Sequence, residues 1–250
     1  MRNYLLALSF LTIIPLPFVR FGPEGRELSG SAAWFPLAGA TIGGLLALFA
    51  WLMLFFLPPA PVAAAALILS FLLTRGLHFD GLADTADGLI GTTDREKAFQ
   101  AMDDSAVGVM GAAALLLVCL LKYALLAELG LLMPLVLIFM PLAGRWAVVY
   151  AGTWFPPARN RGLGDMFLRG LRWPILLRAT LLTAGLIYIF AWWHSMLVIP
   201  IIIGCMLALA AAHLLAFYAA RRLGGITGDI LGAASELGEV FFLFGLYLAL

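Results

Sequence analysis

The sequence predicts an all-α, polytopic integral membrane protein with about six to eight transmembrane helices in one domain, residues 1–250. Of its 250 residues, 64% are hydrophobic and only 12% are charged, whereas a soluble domain is typically about one quarter charged. The mean hydropathy is +1.04. The net charge of +1 provides no basic field that would attract nucleic acid, so no such partner is expected.

The first apolar segment, residues 4–18, follows Arg2 in the manner of a secretory signal. It has no small-residue cleavage site, however, and Pro15 and Pro17 interrupt it. We interpret it as a retained first helix that spans the membrane, re-enters it or is half-buried.

Seven later apolar runs are long enough to cross a bilayer. Prolines and glycines separate several of them, for example Pro58 and Pro59 after the first run and Gly130 before the fourth. The expected spans are residues 32–57, 59–77, 107–128, 131–153, 174–194, 196–219 and 231–250.

The basic residues predict the orientation. All 15 except Arg2, Lys122 and Arg145 lie in or beside four longer loops, which alternate with short turns. Basic loops face the cytoplasm, so we expect a protein of the inner (cytoplasmic) membrane with its active site facing the cytoplasm. The loops lie near residues 20–31, 78–106, 154–173 and 220–230.

The stretch HFDGLADTADGL places Asp80, Asp84 and Asp87 close together in a chain with few acids. On a helix they fall within about 60° of one another, so three carboxylates share one face. They repel unless water, a basic partner or a metal compensates. A solvated acidic helix start is the alternative explanation, and the scarcity of acids favours a site.

A carboxylate set offers only oxygen ligands, which suit Mg²⁺, Mn²⁺ or Ca²⁺ rather than zinc. Asp103 and Asp104 follow in AMDDSAVGVMG, directly before the next span. Two acidic groups at neighbouring helix starts suit one or two Mg²⁺ ions that bridge a phosphoryl substrate. The predicted metal ligands are Asp80, Asp84, Asp87 and Asp104.

Arginines of the cytoplasmic loops are candidates for phosphate binding, because a guanidinium makes bidentate contacts. They are Arg159 and Arg161 in PPARNRGLG, and Arg221 and Arg222 in RRLGGITGD. Membrane topology and lipid headgroups are the alternative explanation for these charges.

Charges inside the expected spans are candidates for function. Lys122 and Arg145 are of this kind, and interhelical pairing with Glu236, Glu239 or Glu128 is the structural alternative.

Two further features surround the aspartates. His78 directly precedes them and is a candidate base or substrate contact. Asp229 and Glu236 repeat the seven-residue spacing of Asp80 and Asp87.

Several blocks resemble, in the same order, those of the cobalamin-5′-phosphate synthases, also called adenosylcobinamide-GDP ribazoletransferases. They are HFDGLADTADG, REKAFQAMDDSAVGVMG, ARNRGLG and RRLGGITGDILGAASELGE. LSFLTIIPLP and WFPLAGATIGGLL are similar too, so the resemblance covers essentially the whole chain.

The resemblance implies the last steps of vitamin B12 nucleotide-loop assembly. α-Ribazole 5′-phosphate, or α-ribazole, attacks the cobinamide-bound phosphate of adenosylcobinamide-GDP, so that GMP leaves and adenosylcobalamin (5′-phosphate) forms. It implies an inner-membrane enzyme that uses Mg²⁺ and contacts membrane lipid, and it leaves open whether the chain forms a homo-oligomer.

The chain departs from related patterns at two places. Asp84, Asp87 and Gly88 match the start of the CDP-alcohol phosphotransferase pattern and Asp104 its later aspartate, but its alanine-arginine pair and later spacing do not match. The family usually has an arginine after Asp-Ser, where this chain has Ala106. If that arginine contacts phosphate, this chain does without it or uses Arg95 or Lys97.

We expect Asp84, Asp87 and Asp104 to act in catalysis, with Asp87 or Asp104 accepting the proton of the attacking hydroxyl. The rival hypotheses are a phospholipid-type CDP-alcohol phosphotransferase and an ion-coupled transporter, which would place its acids near the membrane midplane. The expected substrate contacts are His78, Arg95, Lys122, Arg145, Arg159, Arg221, Arg222, Asp229, Glu236 and Glu239.

Overall fold

The computed structural model describes residues 1–16, 26–160 and 162–250, and within these ranges the chain folds into α-helices without a β-strand. In chain order the helices are α1 (Arg2–Leu11), α2 (Arg26–Ser31), α3 (Phe35–Met53), α4 (Pro59–Thr74), α5 (Leu77–Leu89), α6 (Arg95–Asp103), α7 (Val109–Glu128), α8 (Met133–Trp154), α9 (Gly162–Gly170), α10 (Trp173–Ala191), α11 (Val198–Leu223) and α12 (Gly228–Ala249). Six helical stretches in the described chain are long and apolar enough to cross a membrane, and a bent pair, α4 with α5, is a seventh candidate. This confirms the all-α, polytopic fold.

The observed spans agree closely with the expected ones, except around the second. There the run expected over 59–77 ends as a helix at Thr74, and residues 78–106, expected to be a loop, contain α5 and α6. With 16 residues, α4 is about 24 Å long, which is shorter than the roughly 30 Å hydrocarbon core of a bilayer.

Two consecutive left-handed residues end α4 and turn the chain. Arg75 and Gly76 have φ angles of 54° and 64°, and the two helices meet at 92°. Because of this bend, α5 leaves the direction of α4 and packs against α12, α7 and α6. The acidic stretch is therefore a helix of its own.

The helix at the centre of the bundle is α12, which packs against α11, α8, α5 and α7. Glycines allow the backbones to approach closely: a Cβ on Gly81 of α5 would lie 2.7 Å from the Asp229 carbonyl oxygen. A Cβ on Gly238 would lie 3.4 Å from the Cα atom of Gly144 on α8. Small residues are the usual means of close helix packing in membranes.

The first apolar segment forms only α1, whose 10 residues measure about 15 Å, too short to span a bilayer. Leu6, Ala7 and Leu11 are buried. After α1 the amide of Ile13 donates to the Leu73 carbonyl oxygen at 2.7 Å. This segment is therefore a half-buried helix tied to the end of α4; residues 17 and 18 lie outside the described ranges.

Two adjacent glycines of α3 test the packing of α3 on α8. A Cβ on Gly43 would overlap the carbonyl oxygens of Leu137 and Ile138, whereas one on Gly44 would meet no atom within 4 Å. We expect Gly43→Ala to lower the melting temperature of the detergent-purified protein, because the helices must separate. Gly44→Ala should leave it unchanged or raise it slightly, since alanine favours helix. Equal effects of the two substitutions in thermal unfolding would contradict this packing.

Candidate active site

An acidic surface gathers around α5. Asp84 and Asp87 are half-buried and Asp80 is exposed. The negative charges of four other aspartates repel a negative charge on the Asp84 carboxylate; they are Asp80, Asp229, Asp87 and Asp103. Asp84 is therefore the centre of the group, and we call Asp80, Asp84, Asp87 and Asp229 the acidic row.

Asp229 reaches the acidic row from the first turn of α12. The contact depends on two glycines, since a Cβ on Gly81 would lie 3.2 Å from the Cα atom of Gly232. Asp80 and Asp229 line the same cavity. The Thr227 hydroxyl donates to the Asp229 carboxylate at 3.1 Å, and it accepts from the amide of Ile230 in the first turn of α12 at 3.4 Å.

Asp87 binds the N-terminus of α7. Its two carboxylate oxygens accept the amides of Gly108, at 2.7 Å, and of Gly111, at 2.9 Å. A Cβ on either glycine would overlap the Asp87 carboxylate. An ionised carboxylate has about four acceptor positions, so Asp87 can hold α7 in place and still contact a cation.

Asp104 follows the last residue of α6 and lines the same recess as Asp87. Its carboxylate accepts the amide of Ala106 at 2.9 Å. Asp87, Asp104 and Lys97 line one recess of about 330 Å³, which also contacts Ala106. Of the two candidate substitutes for the family arginine, Lys97 is the one that lines this recess.

The acidic row is compatible with Mg²⁺. Within the described chain, no three His, Cys, Asp or Glu side chains already form a complete metal-binding group. Mg²⁺ does not require one, because it is usually held by one or two carboxylates together with substrate phosphates and water. The row supplies hard oxygen ligands, so one or two of its carboxylates suit a Mg²⁺ ion that arrives with a phosphorylated substrate, and the metal stays a prediction.

Arg159 faces the acidic row across a neighbouring recess. It pairs with Asp103 at 2.5 Å, donates to the carbonyl oxygen of Phe99 at 3.1 Å and lies 4.3 Å from the centroid of that ring. Arg159 and Asp229 line the same recess of about 220 Å³. A positive group is thus held next to the carboxylates, as phosphate binding requires; Arg161 lies outside the described residues.

The other predicted arginines make different contacts. Arg95 donates to the Leu223 carbonyl oxygen at 2.9 Å, and Arg222 donates to the Thr92 carbonyl oxygen at 2.7 Å. These two contacts join α6 and the turn before it to α11. Arg221 is exposed, and contacts of these three arginines with substrate stay predictions.

Lys122 and Arg145 pair with glutamates of α12 inside the bundle. Lys122 Nζ lies 2.6 Å from the carboxylates of both Glu236 and Glu239, and Arg145 also pairs with Glu239. All four side chains are at most 3% exposed. This confirms the pairing with Glu236 and Glu239, whereas Glu128 is exposed. We call these four side chains the buried ion network; any contact of theirs with substrate stays a prediction.

His78 lies between the buried ion network and the acidic row. The charges of Arg145 and Lys122 act on it. Its side chain is buried, and its Nδ1 atom has no hydrogen-bond partner in the described chain. His78 lines the same cavity as Asp80 and Asp229.

The chain matches a sequence model of the family Cobalamin-5-phosphate synthase over residues 3–247. It belongs to this family. Relatives named adenosylcobinamide-GDP ribazoletransferase are 38% identical in Desulfitobacterium hafniense strain Y51, over 99% of this chain and 97% of the relative. The identity is 40% in Roseiflexus sp. strain RS-1, over 94% and 85%, and 41% in Syntrophobacter fumaroxidans, over 95% and 94%. No solved structure matches the chain.

In this member of the cobalamin-5-phosphate synthase family, sequence reasoning located the aspartates of α5 but not the position of Asp229. The sequence predicts that Asp229 completes the pocket or binds the substrate, without saying where it lies, and the structure brings it beside Asp80 and Asp84. The available signal was the repeated spacing of Asp229 and Glu236. Only the first residue of that pair joins the acidic row, because Glu236 lies two turns farther along α12 and joins the buried ion network.

The buried ion network predicts a specific pattern of stabilities. Lys122→Met should lower the free energy of unfolding by about 3–5 kcal/mol, because it leaves a buried carboxylate without its partner. Adding Glu236→Gln should recover part of that loss, since Arg145 and Glu239 then balance each other. Thermal unfolding of the purified variants measures both. A double variant less stable than Lys122→Met would contradict the charge balance of the network.

Proposed function

We propose that the chain is an adenosylcobinamide-GDP ribazoletransferase, which joins adenosylcobinamide-GDP and α-ribazole, or its 5′-phosphate. The observation that carries this proposal is the similarity, over nearly the whole chain, to relatives with that name. The acidic row with Arg159 beside it supports it, because a diphosphate substrate requires both cations and carboxylates that hold them.

In the proposed reaction, a ribose hydroxyl of α-ribazole or its phosphate attacks the phosphorus atom bonded to cobinamide. A new P–O bond forms there, and the bond from that phosphorus to the GMP oxygen breaks. The hydroxyl proton passes to a carboxylate, with Asp87 and Asp104 as the proposed acceptors. GMP and adenosylcobalamin, or its 5′-phosphate, are the products.

Each part of the site has a proposed task. Asp80, Asp84, Asp87 and Asp104 would hold one or two Mg²⁺ ions, and Asp229 would add a carboxylate from α12. When bound, Mg²⁺ supplies positive charge to the diphosphate and to the leaving GMP. Arg159 binds a phosphate by its guanidinium, and Asp87 also fixes the start of α7 against α5.

We further propose the location and surroundings. The helices make the chain a multi-pass membrane protein, and its basic loops favour the cytoplasmic (inner) membrane with the acidic row facing the cytoplasm. The outward faces of α7 and α10, the two least buried spans in the described chain, are proposed to contact lipid or a second copy. The rival hypotheses, a CDP-alcohol phosphotransferase and an ion-coupled transporter, gain no support from the relatives.

The reaction itself is testable with purified protein. Given adenosylcobinamide-GDP and α-ribazole phosphate, the detergent-purified chain should release GMP and form one new corrinoid when Mg²⁺ is present. EDTA should abolish both, because the carboxylates cannot neutralise a diphosphate themselves. GMP measured by chromatography without Mg²⁺ dependence would contradict the metal site. No GMP under conditions where a related synthase works would contradict the function.

Substitutions of two aspartates test whether the acidic row acts in the reaction or is only acidic surface. Asp84→Asn should lower kcat by about 10²-fold or more, because the central carboxylate loses its charge. Asp94→Asn is the matched control: Asp94 caps α6 by accepting the Lys97 amide, and asparagine caps a helix equally well. Initial rates of GMP release measure both. Near-normal turnover of Asp84→Asn would remove the acidic row from the mechanism.

A further inference from the structure

A cavity of about 250 Å³ lies beside the acidic row, between α1, α5, α9 and α12. The proposed reaction assigns it no substrate. Its polar side chains are His78, Asp80 and Asp229, and its other lining residues are apolar or glycine.

Three phenylalanine rings form one wall of this cavity. The rings of Phe10 and Phe35 are inclined by 16° with centroids 6.1 Å apart, and those of Phe35 and Phe167 by 12° at 5.6 Å. Phe35 contacts both other rings and is only 1% exposed, so Phe10 on α1 and Phe167 on α9 supply the aromatic surface that a ligand can reach. Aromatic surface of this kind suits contact with a flat ring.

His78 is the buried polar group of the cavity. It is 6% exposed, and its Nδ1 atom lacks a hydrogen-bond partner in the described chain. Buried polar atoms are normally paired in folded proteins. Nδ1 itself is enclosed, and His78 lines the cavity, so a ligand there is the partner that the imidazole can reach when its ring turns about the Cβ–Cγ bond.

We infer that this cavity binds the 5,6-dimethylbenzimidazole base of α-ribazole, with His78 donating a hydrogen bond to the ring nitrogen that is not bonded to ribose. The inference rests on the proposed function and adds to it the binding site of the acceptor base. The base is flat and apolar and has one free acceptor atom, which matches a cavity with an aromatic wall and one unpaired imidazole.

The size and the apolar lining of the cavity favour the benzimidazole base over the other parts of the two substrates. A cavity of 250 Å³ is below the roughly 300–1,000 Å³ that holds a drug-sized ligand, so a corrin ring or a whole nucleotide does not fit inside. Guanine is small enough, but its polar atoms occupy most of its edge. Apolar walls such as Leu28 and Val148 would leave several of them unpaired, which is costly.

The position of the cavity connects the base to the reaction. Gly164, Gly228 and Asp229 line both this cavity and the recess that contains Arg159. A base held against the phenylalanines therefore directs its ribose toward the acidic row. The diphosphate of the second substrate then lies in the neighbouring recess, next to Arg159.

The KM values of the two substrates test the assignment. Phe167→Leu removes one aromatic plane and should raise the KM for α-ribazole phosphate about 10-fold, with the KM for adenosylcobinamide-GDP nearly unchanged. Phe139→Leu is the matched control, because Phe139 is also buried but packs edge-to-face against Phe190 of α10 instead. It should change neither KM. A rise confined to the adenosylcobinamide-GDP KM, or no change in either KM, would overturn the inference.

A one-atom change in the substrate tests the hydrogen bond without relying on a variant that folds. Replacing the free ring nitrogen by C–H, which gives the dimethylindole riboside phosphate, should lower kcat/KM of the wild-type chain by about 3–10-fold. In His78→Leu the two substrates should be used equally well. Equal use of both by the wild-type chain would overturn the role of His78.

Failure of the proposed function gives a different result. If the wild-type chain released no GMP from its natural substrates, binding of α-ribazole phosphate would be measured by equilibrium dialysis. Binding that Phe167→Leu weakens and Phe139→Leu does not would keep the cavity assignment. No binding to the folded wild-type chain would overturn it.

Discussion

The close contact between α5 and α12 is the constraint on which the rest of the structure depends. Gly81 and Gly232 allow the two backbones to meet, and this contact brings Asp229 beside the aspartates of α5. Like charges at short range oppose the approach. The packing of α12 against α11 and α8, on the sides away from α5, holds the helix in place despite that repulsion.

Charge is arranged on α12 at two levels. Glu236 and Glu239 lie inside the bundle and are balanced by Lys122 and Arg145, so the deeper level fixes the helix among its neighbours. Asp229, in the first turn, is not balanced in this way: Arg159, whose charge acts on it, already pairs with Asp103. The glutamates of α12 therefore belong to an ion network with no net charge that stabilises the bundle, whereas Asp229 on the same helix stays available to bind a cation.

The helix N-termini partly compensate the acidic row. Asp87 accepts two amides at the start of α7, and Asp229 lies in the first turn of α12, where the helix dipole favours negative charge. This compensation is incomplete for Asp84, on which four other aspartates act. Structures tolerate such uncompensated charge chiefly at functional sites. The same end of the bundle carries the cavity with the phenylalanine wall, so charge and apolar surface meet there.

The sequence by itself determined the membrane class, nearly all of the spans and the shared face of Asp80, Asp84 and Asp87, because composition, run length and helical period are local properties. It also named Glu236 and Glu239 as partners of the two intramembrane cations. It did not determine that the aspartates lie on a helix separate from α4, since the 92° bend between α4 and α5 depends on left-handed backbone at Arg75 and Gly76. Only the tertiary structure placed Asp229 in the acidic row, because that position follows from which helices pack together, and this depends on contacts between residues far apart in the chain.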